Sequence, residues 1–309
     1  MFSGTTAQGV TYLRNGQPET VGAEREVILT AGTIGLPHIL MLSGVGEAAH
    51  LKHHGIPLVA DLPGVGQGLQ DHVVVSLRFR SNGADAISCS LESLLGRAKL
   101  GLEWLLFKTG LGATSFFEVG ASFNGGSGTD YFNLQHEFQP FLADFQSGKV
   151  VLGDGFQYFI SQMRPHSRGS IRLKSNNPSV KPALSFNYFD SRRDLIEMIE
   201  GVRKTLDIVG QQAWRKYCTG QLDEVRRNST NDEIEAFIRN VANTEHHPVR
   251  TCRMGRDAGA VTDAAGLVHG LDRLRIVDGS ILPKIPSANV NAPIIMATEK
   301  IASVITRKM

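Results

Sequence analysis

Two stretches near the C-terminus contain residues that could transfer a proton beside a bound ligand. The first spans residues 244–255 and places His247 directly before a proline. An imidazole is largely neutral near pH 7 and can accept a proton, and the proline restricts the backbone next to it. The second spans residues 274–293 and offers a strand, an Asp-Gly corner, Asn289 and a helix start. Together they predict a base, a hydrogen-bond donor and a helix N-terminus around one small volume.

The composition is that of an ordinary soluble globular protein. The 309 residues suffice for two domains, with 41% hydrophobic and 20% charged residues. A net charge of +2 gives no reason to expect a nucleic-acid partner. Cys89, Cys218 and Cys252 form no CxxC pair, which favours a reducing compartment. Because no spanning apolar run and no signal peptide is evident, we expect a cytoplasmic protein.

The elements that must position these residues begin with a hairpin and a strand–helix unit. A hairpin is predicted over residues 8–24, with an Asn-Gly turn at residues 15–16. Residues 26–30 form a short apolar run before a glycine, which predicts a buried parallel strand. A helix is then expected to open at Pro37 and to stop at Gly44.

A short helix predicted over residues 47–54 carries three histidines. His50, His53 and His54 lie at i, i+3 and i+4, a spacing that could bind a metal ion. No fourth ligand is evident in the sequence, so a solvated helix face is the favoured explanation.

From residue 73 the pattern changes to a series of strands with few helices between them. This predicts an antiparallel sheet, and the whole chain therefore reads as a mixed α/β and α+β fold. Strands are predicted at residues 73–81, 116–123, 132–138, 156–160 and 169–174. Helices are predicted at 91–107, 194–211 and 230–242, followed by a strand at 274–277 and a helix from Ala292.

Several of these stretches resemble the glucose–methanol–choline (GMC) family of FAD-dependent oxidoreductases. Residues 32–46 resemble the second signature of that family, and residues 61–72 resemble the loop that follows it. The stretches around His247 and Asn289 resemble its C-terminal signatures. The resemblance implies three segments: a partial FAD-binding domain at 1–72, a substrate-binding domain with an antiparallel sheet at 73–240, and a return to the FAD-binding domain at 241–309.

The resemblance also implies FAD-dependent oxidation of a primary alcohol. His247 would be the base that takes the proton, and Asn289 would bind the alkoxide oxygen as charge develops on it. From the residues alone, a structural histidine in a loop and an asparagine in a turn are the alternatives.

The implied cofactor contacts lie in the second stretch. Asp278 and Gly279 resemble the family corner that hydrogen-bonds FAD, with glycine allowing close approach of the ligand. Asn289, Val290 and Asn291 would lie against the flavin, where a helix N-terminus would stabilise negative charge on the reduced ring.

A substrate site is implied around Phe117 and Glu118. Aromatic rings beside a carboxylate could bind a quaternary ammonium group. Residues 101–120 and 167–175 resemble the choline dehydrogenase branch, which implies choline or a similar alcohol. Core packing with a salt-bridged glutamate is the alternative, and glutamate at this place is also widespread in other bacterial alcohol dehydrogenases of the family.

Three residues depart from the family pattern. Arg250 stands where the family usually has glycine, and its guanidinium is expected to perturb the loop that carries His247. Glu245 and His246 stand where the branch usually has an apolar and an aromatic residue, a change that bears on the substrate pocket.

No Gly-x-Gly-x-x-Gly turn followed by an acidic residue about 20 positions on is found near the first residue. The resemblance is therefore to the C-terminal part of a family member, and a separate N-terminal FAD-binding half is a candidate partner. Two alternatives stay open: a remnant that does not hold FAD, and a lyase on the same scaffold. The resemblance does not identify the electron acceptor. By analogy to the choline dehydrogenase branch, we also expect peripheral contact of the protein with the inner membrane.

Overall fold

The computed structural model describes residues 1–81, 93–117, 119–125, 128, 130–144, 151–153 and 155–307. It is a mixed α/β structure, as the sequence predicted. The chain divides into two compact units. Unit 1 comprises Met1–His72, Pro165–Asp190 and His246–Met309, and unit 2 comprises Val73–Arg164 and Ser191–Glu245. Residues 165–190, which the sequence assigns to the middle domain, group with unit 1 in the structure.

The described strands, in chain order, are β1 Phe2–Ser3, β2 Thr6–Ala7, β3 Gly9–Arg14, β4 Gln17–Gly22, β5 Val27–Leu29, β6 Val45–Gly46, β7 Ala60–Asp61, β8 Gln67–Leu69, β9 Val73–Ser81, β10 Val119–Phe123, β11 Leu134–Gln139, β12 Leu142–Asp144, β13 Val151–Gly153, β14 Phe156–Gln162, β15 Gly169–Arg172, β16 Ala183–Ser185, β17 Cys218–Gln221, β18 Asn243–Thr244 and β19 Leu274–Ile276. The described α-helices are α1 Gly32–Leu42, α2 Ala48–His53, α3 Leu94–Phe107, α4 Arg192–Val209, α5 Asn231–Val241 and α6 Asn291–Thr306. No helix in the described part of the chain is long and apolar enough to cross a membrane.

The predicted hairpin forms from β3 and β4, with Arg14 opposite Gln17. Asn15 and Gly16 make the turn with φ of 52° and 79°. Positive φ at both central positions matches the right-handed twist of the two strands, and asparagine and glycine adopt it at low cost.

Strand β5 pairs in parallel with β19, with Val27 opposite Leu274 and Leu29 opposite Ile276. The parallel strand is therefore confirmed. The prediction that this strand is fully buried is wrong, because Ile28 is 44% exposed. Alternate residues of a strand point to opposite faces, and only the face that carries Val27 packs on the core of unit 1.

Helix α1 begins at Gly32, so the predicted start at Pro37 is wrong. Pro37 lies inside the helix, where it has no N–H to donate to the carbonyl of Thr33, four residues earlier. The hydroxyl of Thr251 donates to that carbonyl instead, at 2.6 Å. Thr251 is fully buried. A residue distant in sequence thus satisfies the carbonyl and allows the helix to run through the proline.

Unit 2 is built on the predicted antiparallel sheet, with strand order β10-β11-β14-β9-β17 and with β18 also paired to β9. Ile160 of β14 lies opposite His136 on one side and Val75 on the other. Helix α4 packs on β14 and buries Leu195 and Val202 among other apolar residues. The amphipathic pattern of the helix and the alternation of the strands therefore meet in one core.

Two predicted boundaries in unit 2 have different outcomes. The strand predicted from Phe116 begins only at Val119, because Phe116 has a φ of 64° in the left-handed region, which a strand does not contain. The helix predicted from Thr230 does begin there, because Thr230 and Glu233 form a reciprocal capping box.

Candidate functional site

His247 lies in a loop that two consecutive residues, Asp71 and His72, hold in place. The backbone N–H of His247 donates to Asp71 Oδ1 at 2.9 Å. The Nδ1 atoms of His247 and His72 are 3.0 Å apart, and the two rings meet edge-on with centroids 5.1 Å apart. His72 is fully buried. The predicted base is therefore fixed through both its backbone and its ring.

The loop that carries His247 is also paired with the residue before Asp71. Gln70 and Val249 exchange both of their backbone hydrogen bonds, at 3.2 and 2.9 Å. Asp71 additionally accepts a hydrogen bond from the hydroxyl of Tyr188. Neither Asp71 nor its neighbour His72 is among the site residues predicted from the sequence. The available signal was an aspartate and a histidine side by side at the end of the loop at 61–72.

Asn289 is exposed, and the segment that carries it is joined to the loop of the predicted base in two ways. Val290, the next residue, shares a small buried apolar cluster with Val249. In addition, Nε2 of His72 lies 3.0 Å from the carbonyl oxygen of Pro286. The structure therefore brings together the two stretches that the sequence singled out.

Asp278 and Gly279 connect strand β19 to the N-terminus of α1. Asp278 Oδ2 accepts from the Gly32 N–H at 2.8 Å, and its Oδ1 accepts from the Ser280 N–H at 2.8 Å. A carboxylate is favourable here because the first N–H groups of a helix carry partial positive charge. A Cβ on Gly279 would lie 2.8 Å from Ile294 Cδ1. Helix α6 therefore packs closely on this glycine.

Helix α6 begins at Asn291 without a side-chain cap and without an acidic residue in its first turn. Asn289, Asn291 and Ala292 around this end are exposed. The first N–H groups of a helix have no partners within it and favour negative charge nearby. Such a set of donors fits the acceptor-rich pyrimidine side of a flavin, which gains negative charge on reduction.

Arg250 fastens the loop of the predicted base rather than disrupting it. Its φ of 82° is left-handed, which explains why glycine suits this position. Its guanidinium donates to the carbonyls of Pro283 and Gly68, at 2.9 and 3.1 Å. A Cβ on Gly68 would lie only 1.9 Å from Arg250 Nη1, so the two residues depend on each other. Burial is the main cause that lowers the pKa of Arg250, and the positive charges of Arg168 and Arg253 lower it further.

The three histidines of the α2 region do not assemble as a metal site. His50 Nε2 accepts a hydrogen bond from the Leu173 N–H at 3.0 Å, which uses its lone pair. Its ring meets that of His54 edge-on at 4.8 Å. Among the residues that the structure describes, His50, His53 and His54 form no cluster that could hold a metal ion.

The predicted substrate residues belong to unit 2. The ring of Phe117 lies 5.8 Å from that of Phe159, and the side chain is partly exposed. Glu118 lies outside the described residues. Phe117 thus combines a packing contact with an exposed ring.

Glu245, which departs from the family pattern, also belongs to unit 2. It accepts a hydrogen bond from the Ser161 hydroxyl at 2.6 Å.

Comparison with known proteins gives matches along nearly the whole chain. Sequence profiles of the GMC oxidoreductase family match residues 1–74 and 165–298. An oxygen-dependent choline dehydrogenase from Chromohalobacter salexigens is 40% identical over 301 residues, which are 97% of this chain and 54% of the relative. A protein of the same name from Burkholderia cenocepacia is 40% identical over 98% of this chain and 53% of the relative. The chain thus spans about half the length of the curated relatives it matches.

Solved structures agree with these matches. A variant of formate oxidase from Aspergillus oryzae RIB40, made to study FAD modification, superposes with a TM-score of 0.91 at 25% identity, covering 99% of this chain and 58% of that one. Pyridoxine 4-oxidase from Mesorbium loti superposes with a TM-score of 0.83 at 22% identity, covering 99% and 56%, which shows a shared fold. The profiles and the relatives converge, and the chain belongs to the GMC oxidoreductase family.

Proposed function

We propose that this chain carries the substrate side of an FAD-dependent oxidoreductase that converts a primary alcohol to the aldehyde. The observation that carries the proposal is His247, whose backbone is bound by Asp71 and whose ring is bound by His72. Family membership supports the reaction class, because the similar proteins are named as dehydrogenases and oxidases.

Oxidation of an alcohol requires a proton to leave the oxygen and a hydride to leave the carbon. FAD, when bound, supplies the hydride acceptor. His247 accepts the hydroxyl proton at its imidazole. Asn289 donates from its side-chain amide to the oxygen as negative charge develops there. Val290 and Asn291, at the uncapped start of α6, would hold the cofactor ring, and the helix start would favour negative charge on it.

We propose choline or a similar quaternary ammonium alcohol as the substrate, with Phe117 and Glu118 binding its cationic end. Two observations support this assignment: the curated relatives are named choline dehydrogenases, and the ring of Phe117 is partly exposed. An aromatic face within reach of a carboxylate attracts a cation, and the attraction strengthens when water is excluded.

The test begins with the purified chain and added FAD. After dialysis the visible absorption spectrum is recorded, and choline is then added without oxygen. Retained flavin absorbance that bleaches with choline supports the reaction and the substrate. Retained flavin that bleaches only with other primary alcohols contradicts the choline assignment, and retained flavin that no alcohol bleaches contradicts the reaction. Loss of the flavin on dialysis identifies the remnant that does not hold FAD.

Two histidine variants test the assignment of the base. His247→Ala is expected to retain flavin and to bleach at least about 100-fold more slowly, the usual contribution of a general base. His53→Ala is the matched control, because His53 is an exposed histidine of α2. Equal slowing in both variants would show that His247 is not the base.

The lyase alternative has its own readout in the unaltered chain. Cleavage of a cyanohydrin without bleaching of the flavin would identify it.

We also propose that helix α3 contacts the surface of a membrane. Its exposed leucines form one stripe that is roughly 120° wide, at about 100° per residue. These residues are Leu94, Leu95, Leu102, Leu105 and Leu106. Contiguous exposed apolar surface of this kind marks an interaction site rather than ordinary solvent exposure.

The charges beside the stripe favour a lipid surface as its partner. Arg97 and Lys99 are exposed and flank the stripe on its two sides. On the other side of α3, Trp104 contacts the segment at Gly112, where an added Cβ would lie 3.0 Å from Trp104 Cβ. Trp104 and Phe107 on that side are 44% and 70% exposed. A leucine stripe between basic residues suits an anionic bilayer surface.

Sedimentation with vesicles tests this contact. Phosphatidylcholine vesicles that contain phosphatidylglycerol are expected to carry the chain down, and added salt is expected to weaken the binding. Leu102→Gln with Leu105→Gln is expected to reduce the bound fraction, while Leu58→Gln, at an exposed leucine outside the helix, is the control. Equal binding by all three chains would contradict the proposal. A dimer that the α3 substitutions abolish would assign the stripe to a second copy instead.

A further inference from the structure

The contact between His72 and His247 determines where the protons of both rings lie. Their Nδ1 atoms are 3.0 Å apart, so one proton lies between the two nitrogens. Nε2 of His72 lies 3.0 Å from the carbonyl oxygen of Pro286. A carbonyl oxygen can only accept a hydrogen bond, and Nε2 of His72 therefore carries a proton.

The burial of His72 decides the rest of the assignment. His72 is fully buried, and burial favours the neutral imidazole over the charged form. A neutral imidazole has a single N–H, which His72 uses toward Pro286. Nδ1 of His72 is then the acceptor in the contact between the rings, and the shared proton belongs to Nδ1 of His247. Nε2 of His247 is consequently its unprotonated nitrogen.

We propose that His72 is a positioning residue that holds His247 in the Nδ1–H tautomer, so that Nε2 of His247 takes the substrate proton. The hydroxyl O–H bond breaks, its electron pair stays on oxygen, and the proton forms an N–H bond at Nε2. The positive charge that arises on His247 is then stabilised by the lone pair of His72 Nδ1. The catalytic meaning rests on the proposed function, whereas the tautomer is a property of the folded chain.

A purely structural role for His72 would use different atoms. The tautomer role requires an acceptor at the Nδ1 position, whereas tying the Pro286 segment in place requires a donor at the Nε2 position. An asparagine amide reaches about the Nδ1 position, and a glutamine amide reaches about the Nε2 position. His72→Asn therefore keeps an acceptor for His247 and releases Pro286, while His72→Gln keeps the donor to Pro286 and loses the acceptor.

The direct readout is the protonation of each imidazole nitrogen, measured by nitrogen-15 NMR on the histidine-labelled chain without substrate. His247→Gln identifies the signals of His247 among the 10 histidines. We expect the Nδ1–H tautomer of His247 in the unaltered chain and in His72→Asn, and the Nε2–H tautomer in His72→Gln. An Nε2–H tautomer in the unaltered chain would overturn the proposal, as would the same tautomer in both variants.

Flavin bleaching gives a second readout in the chain loaded with FAD. His72→Gln is expected to slow bleaching at saturating alcohol by at least about 10-fold with KM unchanged, since a general base contributes about 100-fold or more. His72→Asn is expected to stay near the rate of the unaltered chain. The opposite order of the two variants would assign His72 to holding the Pro286 segment. Failure of the unaltered chain to bleach rejects the proposed function, and the NMR result still decides the tautomer.

Discussion

Protonation of His136 is expected to destabilise unit 2 as the pH falls. His136 is buried in β11, with its Nε2 atom 3.0 Å from Thr205 Oγ1 and its ring centroid 4.4 Å from that of Phe123. Burial lowers the pKa of His136 to about 4. In an unfolded chain the imidazole has a pKa of about 6.5. Between these two pH values the unfolded state therefore binds more protons than the folded state.

The sign and size of the effect follow from this difference. Because the folded pKa lies below the unfolded pKa, the stability is complete above about pH 6.5 and is lost as the pH falls toward about pH 4. The whole loss is about 3 kcal/mol, at roughly 1.4 kcal/mol for each pKa unit. Between pH 7 and pH 5 the expected loss is about 2 kcal/mol, because the folded imidazole is still mostly neutral at pH 5.

Urea unfolding followed by tryptophan fluorescence measures this loss in the unit that carries His136. Both tryptophans of the chain, Trp104 and Trp214, belong to unit 2. Trp214 is stacked on Phe156 at 4.7 Å between ring centroids, so its environment changes when the sheet unfolds. The free energy of unfolding is measured at pH 7 and pH 5 for the unaltered chain and for His136→Gln, whose amide can donate to Thr205 but does not titrate.

The difference between the pH effects on the two chains reports the contribution of the His136 imidazole alone. Carboxylates and the other histidines titrate in both chains, so their contributions cancel when the two pH effects are subtracted. We expect the unaltered chain to lose about 2 kcal/mol more than His136→Gln on going from pH 7 to pH 5. An equal loss in the two chains would refute the reasoning, since it would mean that folding does not change the pKa of His136.

Two double-mutant cycles test the hydrogen bonds around the loop of the predicted base. Thr251→Val is expected to cost about 1–3 kcal/mol, because it leaves the buried carbonyl of Thr33 without a donor. In a Pro37→Ala background, which restores an N–H to that carbonyl, the loss measured by thermal unfolding is expected to be smaller. Gly68→Ala is expected to lower the melting temperature more in the unaltered chain than in Arg250→Gly, because the new Cβ would lie 1.9 Å from Arg250 Nη1. The backbone strain of alanine at position 68 is common to both backgrounds, and additive effects in either cycle would contradict the contact.

Features that depend on neighbours along the chain were predictable. The hairpin turn follows from Asn15-Gly16, whose residues tolerate positive φ. The start of α5 follows from Thr230 and Glu233, which are three residues apart and bond each other's backbone. Strands β9, β11 and β14 of unit 2 were predictable because a run of apolar and alternating residues is a local pattern.

Features that depend on a distant partner were not predictable. The start of α1 was misplaced because the partner of the Thr33 carbonyl is Thr251, more than 200 residues further along. The effect of Arg250 was misjudged because its two acceptors, Gly68 and Pro283, belong to other segments. None of these three partners can be inferred from the spacing of residues along one stretch.

The sequence by itself determined which residues are available for the chemistry: His247 beside a proline, Asn289 before a helix, and the signatures that carry the GMC resemblance. The tertiary structure alone decided that His72, 175 residues away, meets His247 through Nδ1. The type of a residue determines which hydrogen bonds its atoms can donate or accept, and the sequence specifies the type. Which of those atoms is used depends on the groups that folding brings within about 3 Å, and only the tertiary structure sets that distance.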